Sequence, residues 1–162
     1  MAQVLEIGQS LAETYEPKRA FRWIIEAEGI DSFLAESVSR PKVDIEEVEA
    51  RYINTVQYFA GRLTPQTIEF QLKDAIAPSQ SQKIMEWVRS VCEVETGRAG
   101  YKAMYARDFR IKMLSPTNEV VESWVLKNAW PTNYNASDLN ANDNSIATIS
   151  VVLRYDRAIL EF

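Results

Sequence analysis

The segment Val120-Val-Glu-Ser-Trp-Val-Leu-Lys-Asn-Ala-Trp-Pro-Thr-Asn133 is dense in β-branched and aromatic residues. This composition predicts a long β-strand. Because proline has no amide hydrogen to donate to a ladder, we expect the strand to end at Pro131 or to lie at a sheet edge there. Trp124 and Trp130 bring a large apolar surface to the strand, and either this chain's own core or a neighbouring subunit must cover it.

Alternation along this strand places four apolar residues on one face, namely Val120, Trp124, Leu126 and Trp130. We predict that this face packs against the chain's own helix around Trp87. On that interpretation, Trp130→Ala destabilises the folded subunit by roughly 3–5 kcal/mol, which is typical of a large side chain removed from a core.

The composition is that of an ordinary globular domain, with 162 residues, 46% hydrophobic and 25% charged. The net charge of −5 argues against a surface that grips nucleic acid. The single cysteine and the lack of histidine remove a disulfide framework, a cysteine zinc site and the usual catalytic base. The sequence contains no apolar run of membrane-spanning length, and its N-terminus lacks the features of a signal peptide, so we expect synthesis and use from the cytoplasm of the producer.

Period-two alternation predicts further strands in five segments, which are Ala20–Glu28, 42–53, Thr67–Asp74, Asp108–Met113 and Ser145–Tyr155. A helix stays open for residues 42–53, because Glu and Ala favour it. Phe33–Val38 is a candidate return strand for a hairpin with the first of these, and Tyr58–Pro65 is interpreted as a turn built around Gly61. The tail Asp156–Phe162 has no clear period.

One segment predicts a helix, because it has a capping residue at its start and glycines after its end. Ser79 is a good N-cap, Gly97 and Gly100 end the helical region, and five residues share an apolar face: Ile84, Met85, Val88, Val91 and Cys92. Trp87 lies at the margin of that face, and Cys92 is interpreted as a small core residue. Together, the predicted strands and helix indicate a mainly β protein of α+β type. We expect an antiparallel β-sandwich or barrel of six or seven strands with one flanking α-helix.

The carboxylate and basic side chains that could form an active site are not arranged for any particular reaction. Two sets of carboxylates, Glu46, Glu47 and Glu49 and then Asp138 and Asp143, are best interpreted as solvated acidic surface. A basic and aromatic cluster around Lys102, Arg107, Arg110 and Lys112 fits single-stranded nucleic acid less well than the charged side of a hairpin. We therefore predict a protein that is not an enzyme, with no catalytic residue, no cofactor and no metal.

The order of the motifs along the chain resembles that of a known protein family. A helix containing Lys83–Val88 is followed by Tyr101-Lys102, then by Lys127–Asn133, and then by a final alternating strand ending at Tyr155-Asp156. Upstream, Gly61-Arg62-Leu63-Thr64 precedes an alternating strand. This order resembles the tail tube proteins of contractile-tailed, T-even-like bacteriophages over roughly Lys18 to Asp156, and Trp130-Pro131-Thr132-Asn133 is its most specific element.

The resemblance implies a tail-tube or Hcp-like β domain over 18–162, preceded by an N-terminal arm, 1–17. It assigns structural or assembly roles to eight positions: Gly61, Thr64, Trp87, Tyr101, Trp130, Pro131, Thr132 and Asn133. It also implies hexameric rings that stack into the inner tube of a virion tail, inside a sheath protein and in contact with baseplate and tape-measure proteins. The resemblance further implies that genomic DNA passes through the lumen without specific binding, and that the protein is made in the host bacterial cytoplasm.

Three other functions remain open at this level. The inner tube of an extracellular contractile injection system and a baseplate tube initiator belong to the same class as the tail tube. A monomeric ligand-binding β-barrel belongs to a different class, and it would keep its aromatic side chains inside one chain. The sequence does not identify the host, the strands that line the lumen or the role of residues 1–17.

Overall fold

The computed structural model describes residues 16–161, which form nine β-strands, two α-helices and a short 3-10 turn at Ser32–Leu34. The strands are β1 (Trp23–Glu26), β2 (Ala35–Val38), β3 (Val43–Tyr52), β4 (Thr55–Pro65), β5 (Ile68–Lys73), β6 (Arg107–Leu114), β7 (Val120–Ala136), β8 (Thr148–Arg154) and β9 (Arg157–Glu161). The helices are α1 (Gln80–Val91) and α2 (Lys102–Tyr105). No helix in this part of the chain is long and apolar enough to cross a membrane.

All strand pairs are antiparallel, and β7 is the strand that joins seven of the nine strands into one sheet. Its first half pairs with β6 on one side and β9 on the other, and its second half pairs with β8. The order along the sheet is β1-β6-β7-β8-β5-β2, with β9 paired to β7 off this path. Strands β3 and β4 form a separate two-stranded sheet.

The core lies where the two branches of the sheet fold over each other. Phe70 of β5 and Phe109 of β6 come from opposite branches, yet their ring centroids are 5.2 Å apart. Alternate residues of β5 and β8 point into the same core, among them Ile68, Leu72 and Val151. This arrangement confirms the predicted fold class, an antiparallel β-sandwich with one main helix packed on it.

Helix α1 covers β7, and its first turn is tied to two loops. The Ser79 hydroxyl caps it by accepting a hydrogen bond from the Gln82 amide at 3.3 Å, as predicted. Gln80 is fully buried and donates to Asp31 at 2.5 Å, while Lys83 pairs with the same carboxylate at 2.7 Å. The position of the helix is therefore fixed by polar contacts at its start as well as by its apolar face.

The apolar face of α1 differs from the predicted one. Trp87 lies at its centre and is 1% exposed, instead of at its margin. Cys92 follows the last helical residue and is exposed, so the prediction that it belongs to the core was wrong. The helix ends one residue earlier than the apolar pattern, and Cys92 then forms an isolated bridge with Ala99.

Strand β7 runs through to Ala136, so the expectation that it ends at Pro131 was wrong. The alternative expectation, a sheet edge at Pro131, was confirmed, because β7 pairs with β8 alone at this position. The register of β7 shifts beside Asn128, which has a positive φ of 55°, and again between Pro131 and Asn133. A proline is tolerated at such an irregularity because the ladder needs no amide hydrogen there. The first shift also reverses the alternation, so that Ala129 rather than Trp130 joins Leu126 in the core.

Three further local predictions were wrong. Ala35–Val38 forms β2, but this strand pairs with β5, which is distant in the sequence, and makes no hairpin with β1. Gly61 lies inside β4 rather than in a turn, and the hairpin turns at Ile53-Asn54. The tail contains β9. Residues 42–53 are confirmed as a strand rather than a helix. The N-terminal arm predicted over residues 1–17 lies almost entirely outside the described residues.

Candidate assembly surfaces

The β3–β4 hairpin is the element that stands out from the rest of the molecule. Its strands are 10 and 11 residues long, and nearly every residue on both of its faces is exposed. Nine large hydrophobic side chains in it are exposed, namely Val43, Ile45, Val48, Tyr52, Ile53, Val56, Tyr58, Phe59 and Leu63. Its extensive contacts within the described chain are between its own two strands. Among the described residues, no other element covers the large apolar surface of this hairpin.

Gly61 and Thr64, two of the predicted family positions, lie in this hairpin. The register shifts between Ile45 and Glu47, opposite Gly61. A Cβ atom built at Gly61 would lie 3.0 Å from the Glu46 carbonyl oxygen, so glycine permits the close approach of the two strands at this bulge. Thr64 faces Asp44 across the hairpin.

Polar contacts anchor the root of the hairpin. The Ser39 amide donates to the Glu69 carbonyl at 2.8 Å, and the Glu69 amide donates to the Ser39 hydroxyl at 2.8 Å. On the other side, the Arg40 guanidinium pairs with the Glu122 carboxylate of β7. Lys18, which precedes β1, pairs with the second oxygen of the same carboxylate. One side chain therefore holds both the hairpin root and the segment that leads into β1.

Glu122 is 5% exposed, so burial by itself would raise its pKa. The hydrogen bonds from Lys18 and Arg40, together with one from the Trp124 indole at 2.6 Å, outweigh burial and lower the pKa to about 2. The carboxylate is thus ionised at neutral pH. Nothing in the local sequence pattern identified Glu122 or its partners.

The Trp130–Asn133 motif lies where β7 changes its partner strand. The Trp130 ring is half-buried and meets Tyr105 of α2 edge to face, with centroids 6.0 Å apart. Pro131 is buried opposite Leu153, Thr132 donates to the Val152 carbonyl at 3.2 Å, and Asn133 is exposed. The motif therefore forms the second bulge of β7 and docks α2 through its tryptophan.

Trp87 and Tyr101 lie on the helical side of the molecule. The Trp87 indole donates to the Tyr105 carbonyl at 2.7 Å, and the Arg107 guanidinium lies 5.0 Å from the ring centroid. Tyr101 precedes α2 and is 83% exposed. The eight predicted positions thus fall in three places, the hairpin, the β7 bulge and the helical side, and they form no single site.

Asn128 and Asp156 were not singled out from the sequence, but they brace the first bulge of β7. The Asn128 side chain donates to Asp156 at 2.7 Å, and Lys102 donates to the same carboxylate at 2.6 Å. The Lys102 ammonium is the main cause that lowers the pKa of Asp156. Asparagine tolerates a positive φ better than most residues, which is the signal that could have marked this position.

The remaining polar clusters show an ordinary charged surface. Glu46, Glu47 and Glu49 are exposed along β3, and residues 16–161 contain no group of three or more potential ligands placed to hold a metal ion. In the predicted basic cluster, Lys112 pairs with Glu26 at 2.6 Å and Arg107 donates to the Glu28 carbonyl at 2.9 Å. These contacts suit the solvent side of a hairpin, which was the preferred interpretation.

Comparison with known protein families identifies the family of this chain. The family described as T4-like virus tail tube protein gp19 matches residues 19–159. The chain belongs to this family. It is therefore a structural protein of a tail tube, and the family suggested by the order of the sequence motifs is confirmed. The comparison with curated protein sequences returned no match.

Solved structures show the same fold. The chain is similar to one from the sheath-tube complex of an extracellular contractile injection system, PVC, with a TM-score of 0.73 and 19% identity over 98% of this chain and 99% of that one. A chain of the anti-feeding prophage cap gives a TM-score of 0.75 at 19% identity, over 97% and 99%. Hcp1 from Flavobacterium johnsoniae gives 0.51 at 12% identity, over 86% and 94%. The predicted tail-tube or Hcp-like fold is thus confirmed.

Proposed function

We propose that this chain forms hexameric rings that stack into the inner tube of a contractile phage tail, through which the genome passes into the host cell. The observation that carries the proposal is the exposed β3–β4 hairpin. An isolated two-stranded hairpin is marginally stable in water. One that also exposes apolar side chains on both faces needs a further partner, and in a tube protein that partner is another copy of the same chain.

Ring closure gives this hairpin a defined partner. Free strand edges invite open-ended association, and a closed cyclic assembly removes them by pairing each edge with the neighbouring subunit. The free edges in the described chain belong to β1, β2, β9 and the hairpin. In a ring, hairpins from adjacent subunits cover each other's apolar faces, and the roots at Ser39 and Arg40 set the direction in which they project.

The charge of the hairpin suits a passage for DNA. Four exposed carboxylates lie along β3, those of Asp44, Glu46, Glu47 and Glu49. A lumen lined by fixed negative charges repels phosphates over about a Debye length, roughly 8–10 Å, so DNA slides without adhering. We place part of this acidic strand on the lumen side.

A contractile phage tail also implies the domain bounds, the partner proteins and the location of this chain. Residues 18–162 form one tail-tube domain, with residues 1–17 as an arm that contacts a neighbouring subunit or ring. The outer surface faces a sheath protein, and the ends of the tube meet baseplate and tape-measure proteins. The chain is made in the host cytoplasm and acts in the virion, without an enzymatic step. The eight family positions serve folding and assembly.

The inner tube of an extracellular contractile injection system is the nearest alternative, and the fold similarity to chains from the PVC and anti-feeding prophage particles favours it as the second candidate. The two functions differ in cargo. Purified particles that contain DNA in a capsid support the phage tail, whereas capsid-free particles that carry a protein cargo support the injection system.

Assembly is tested by electron microscopy of the purified chain at increasing concentration. Wild type is expected to form rings or tubes about six subunits in circumference. Val48 and Phe59 face each other across the hairpin and are 53% and 55% exposed, so replacing both with serine should leave the subunit folded but prevent tubes. The matched control replaces Leu139 and Ile146, which are 90% and 62% exposed in the asparagine-rich loop. Normal tubes from the hairpin variant would refute the role of the hairpin.

A further inference from the structure

The large sheet folds over itself and leaves a gap between its two end strands, β1 and β2, which we call the seam. The strand order places β1 and β2 at opposite ends of the sheet, and they do not pair with each other. An apolar cavity of 290 Å³ lies in the seam, lined by side chains from both sides, among them Trp23 of β1, Val38 of β2 and Met113 of β6. No backbone ladder closes this side of the sandwich, so any link across the seam is made by side chains.

One ion pair crosses the seam. Arg40 lies two positions after the end of β2 and pairs with Glu122, which belongs to the half of β7 that pairs with β6. Met113 lies opposite Glu122 in that ladder and lines the cavity, so the carboxylate lies on the cavity side of the sheet. The pair therefore links β2 and the hairpin root to the strands on the far side of the cavity.

Glu122 has more counter-ions than its charge requires. Arg40 and the Trp124 indole donate to one oxygen of the carboxylate, and Lys18 donates to the other. A guanidinium can bind both oxygens of a carboxylate by itself, so Arg40 alone would satisfy this group. Two cations and one carboxylate give the cluster a net charge of +1, and the two cations repel each other. The second cation therefore adds little stability, and its presence calls for another explanation.

We propose that Lys18 and Arg40 are alternative counter-ions of Glu122, so that the cluster is a clasp that opens on one side without unfolding the subunit. When Arg40 leaves, the hairpin root detaches, and Lys18 still neutralises the buried carboxylate. When Lys18 leaves, the segment before β1 detaches, and Arg40 still closes the seam. Loss of both cations leaves a buried carboxylate without a counter-ion, which costs far more than the loss of either one. Either segment can thus move while the core stays closed.

A double-mutant cycle on the monomer tests the exchange of counter-ions. Lys18→Met and Arg40→Met each remove one positive charge and keep an apolar stem. Each single variant should raise the unfolding equilibrium constant no more than about fivefold, because the other cation remains and both side chains are more than half exposed. Independent effects would multiply to at most about 25-fold in the double variant. An unpaired buried carboxylate should instead raise the constant at least about 100-fold, measured by urea denaturation.

Two controls isolate the shared carboxylate. In a Glu122→Gln background, the same two substitutions should have small effects that multiply, since the charge that both cations share is gone. Lys112→Met combined with Arg40→Met should also show multiplying effects, because Lys112 pairs with Glu26 instead. A double variant of Lys18 and Arg40 that is no worse than the product of its single variants would overturn the proposal. One single variant that by itself reproduces the double effect would overturn it as well.

Hydrogen exchange of the single variants shows which segment is released, and it decides the matter even where the double variant does not fold. The Ser39 amide reports on the hairpin root and the Arg22 amide on the segment before β1, since each donates a backbone hydrogen bond there. Arg40→Met should speed exchange at Ser39 at least about tenfold and leave Arg22 within about twofold of wild type, and Lys18→Met should do the reverse. Acceleration of both amides together, or of neither, would overturn the proposal. All these measurements use the monomer, so their failure leaves the proposed function intact.

Discussion

Glu122 provides the sharpest test of how the hairpin and the start of the described chain are anchored. Its carboxylate is 5% exposed and accepts hydrogen bonds from Lys18, Arg40 and Trp124. Glu122→Gln keeps the shape of the side chain and removes its charge. We expect the substitution to destabilise the folded monomer at neutral pH, because two cations lose their partner and a buried acceptor becomes neutral.

The magnitude follows from the pKa of Glu122, which falls from an ordinary 4.5 to about 2 in the folded protein. A difference of one pKa unit corresponds to about 1.4 kcal/mol, so the carboxylate contributes about 3 kcal/mol to the free energy of unfolding. A depressed pKa stabilises the folded state in full above the unfolded value of 4.5. That contribution is lost as the pH falls from 4.5 toward 2.

The assay is urea denaturation followed by tryptophan fluorescence, at concentrations where the subunit is monomeric, since assembly adds its own stability. Wild type and Glu122→Gln should differ by about 3 kcal/mol at pH 7 and should converge as the pH approaches 2, where wild type is itself protonated. Glu26→Gln is the matched control, because Glu26 pairs with Lys112 at an exposed site and should contribute no more than about 1 kcal/mol. A gap that stays constant between pH 7 and pH 2.5 would refute the reasoning.

Three further predictions concern the core, the helix end and the lumen. Trp87→Ala should destabilise the monomer by about 4 kcal/mol and the half-buried Trp130→Ala by about 2, both measured by urea denaturation. Gly100→Ala should lower the melting temperature by about 4–8 °C in calorimetry, because its Cβ would lie 2.2 Å from a carbonyl oxygen of α1. Glu47→Lys combined with Glu49→Lys should leave tubes intact in microscopy but slow DNA ejection from phage particles in a fluorescence assay.

Each of these three predictions has an experimental outcome that would contradict it. Equal losses for the two tryptophan variants would mean that Trp130 belongs to the core after all. An unchanged melting temperature for Gly100→Ala would mean that the loop after α1 shifts freely. Unchanged ejection kinetics for the double lysine variant would move Glu47 and Glu49 away from the lumen. Glu86→Lys combined with Glu95→Lys, at two exposed positions outside the hairpin, makes the same change in net charge and is the control.

The elements that pack inside one chain could be predicted from the sequence. β5 and β8 alternate cleanly because one face of each is buried, and Ser79 marks the start of α1 through a local hydrogen bond. These signals are local in sequence, and periodicity and capping describe them directly. The family resemblance rested on the same elements in their order along the chain.

The predictions that failed depended on contacts distant in sequence or outside the chain. Gly61 was interpreted as a turn because glycine punctuates many loops, whereas its role is to let two exposed strands approach. Pro131 stays within β7 because a register shift removes the need for its amide hydrogen. β9 was missed because five residues at a sheet edge, Arg157–Glu161, carry only a weak alternation. Glu122 finds its partners 82 and 104 positions away, which no local pattern shows.

The hairpin raises a final physical question, which is how the subunit stays soluble before it assembles. Its apolar side chains and free strand edges would promote indiscriminate pairing, but Glu46, Glu47 and Glu49 place like charges along β3, so two copies that pair through this strand bring carboxylates together. The bulge at Gly61 also twists the hairpin away from a flat edge. A productive contact must therefore place β3 beside a surface without that charge. The acidic strand thus selects against random association and in favour of a defined neighbour, the same specificity that a tube of uniform diameter requires.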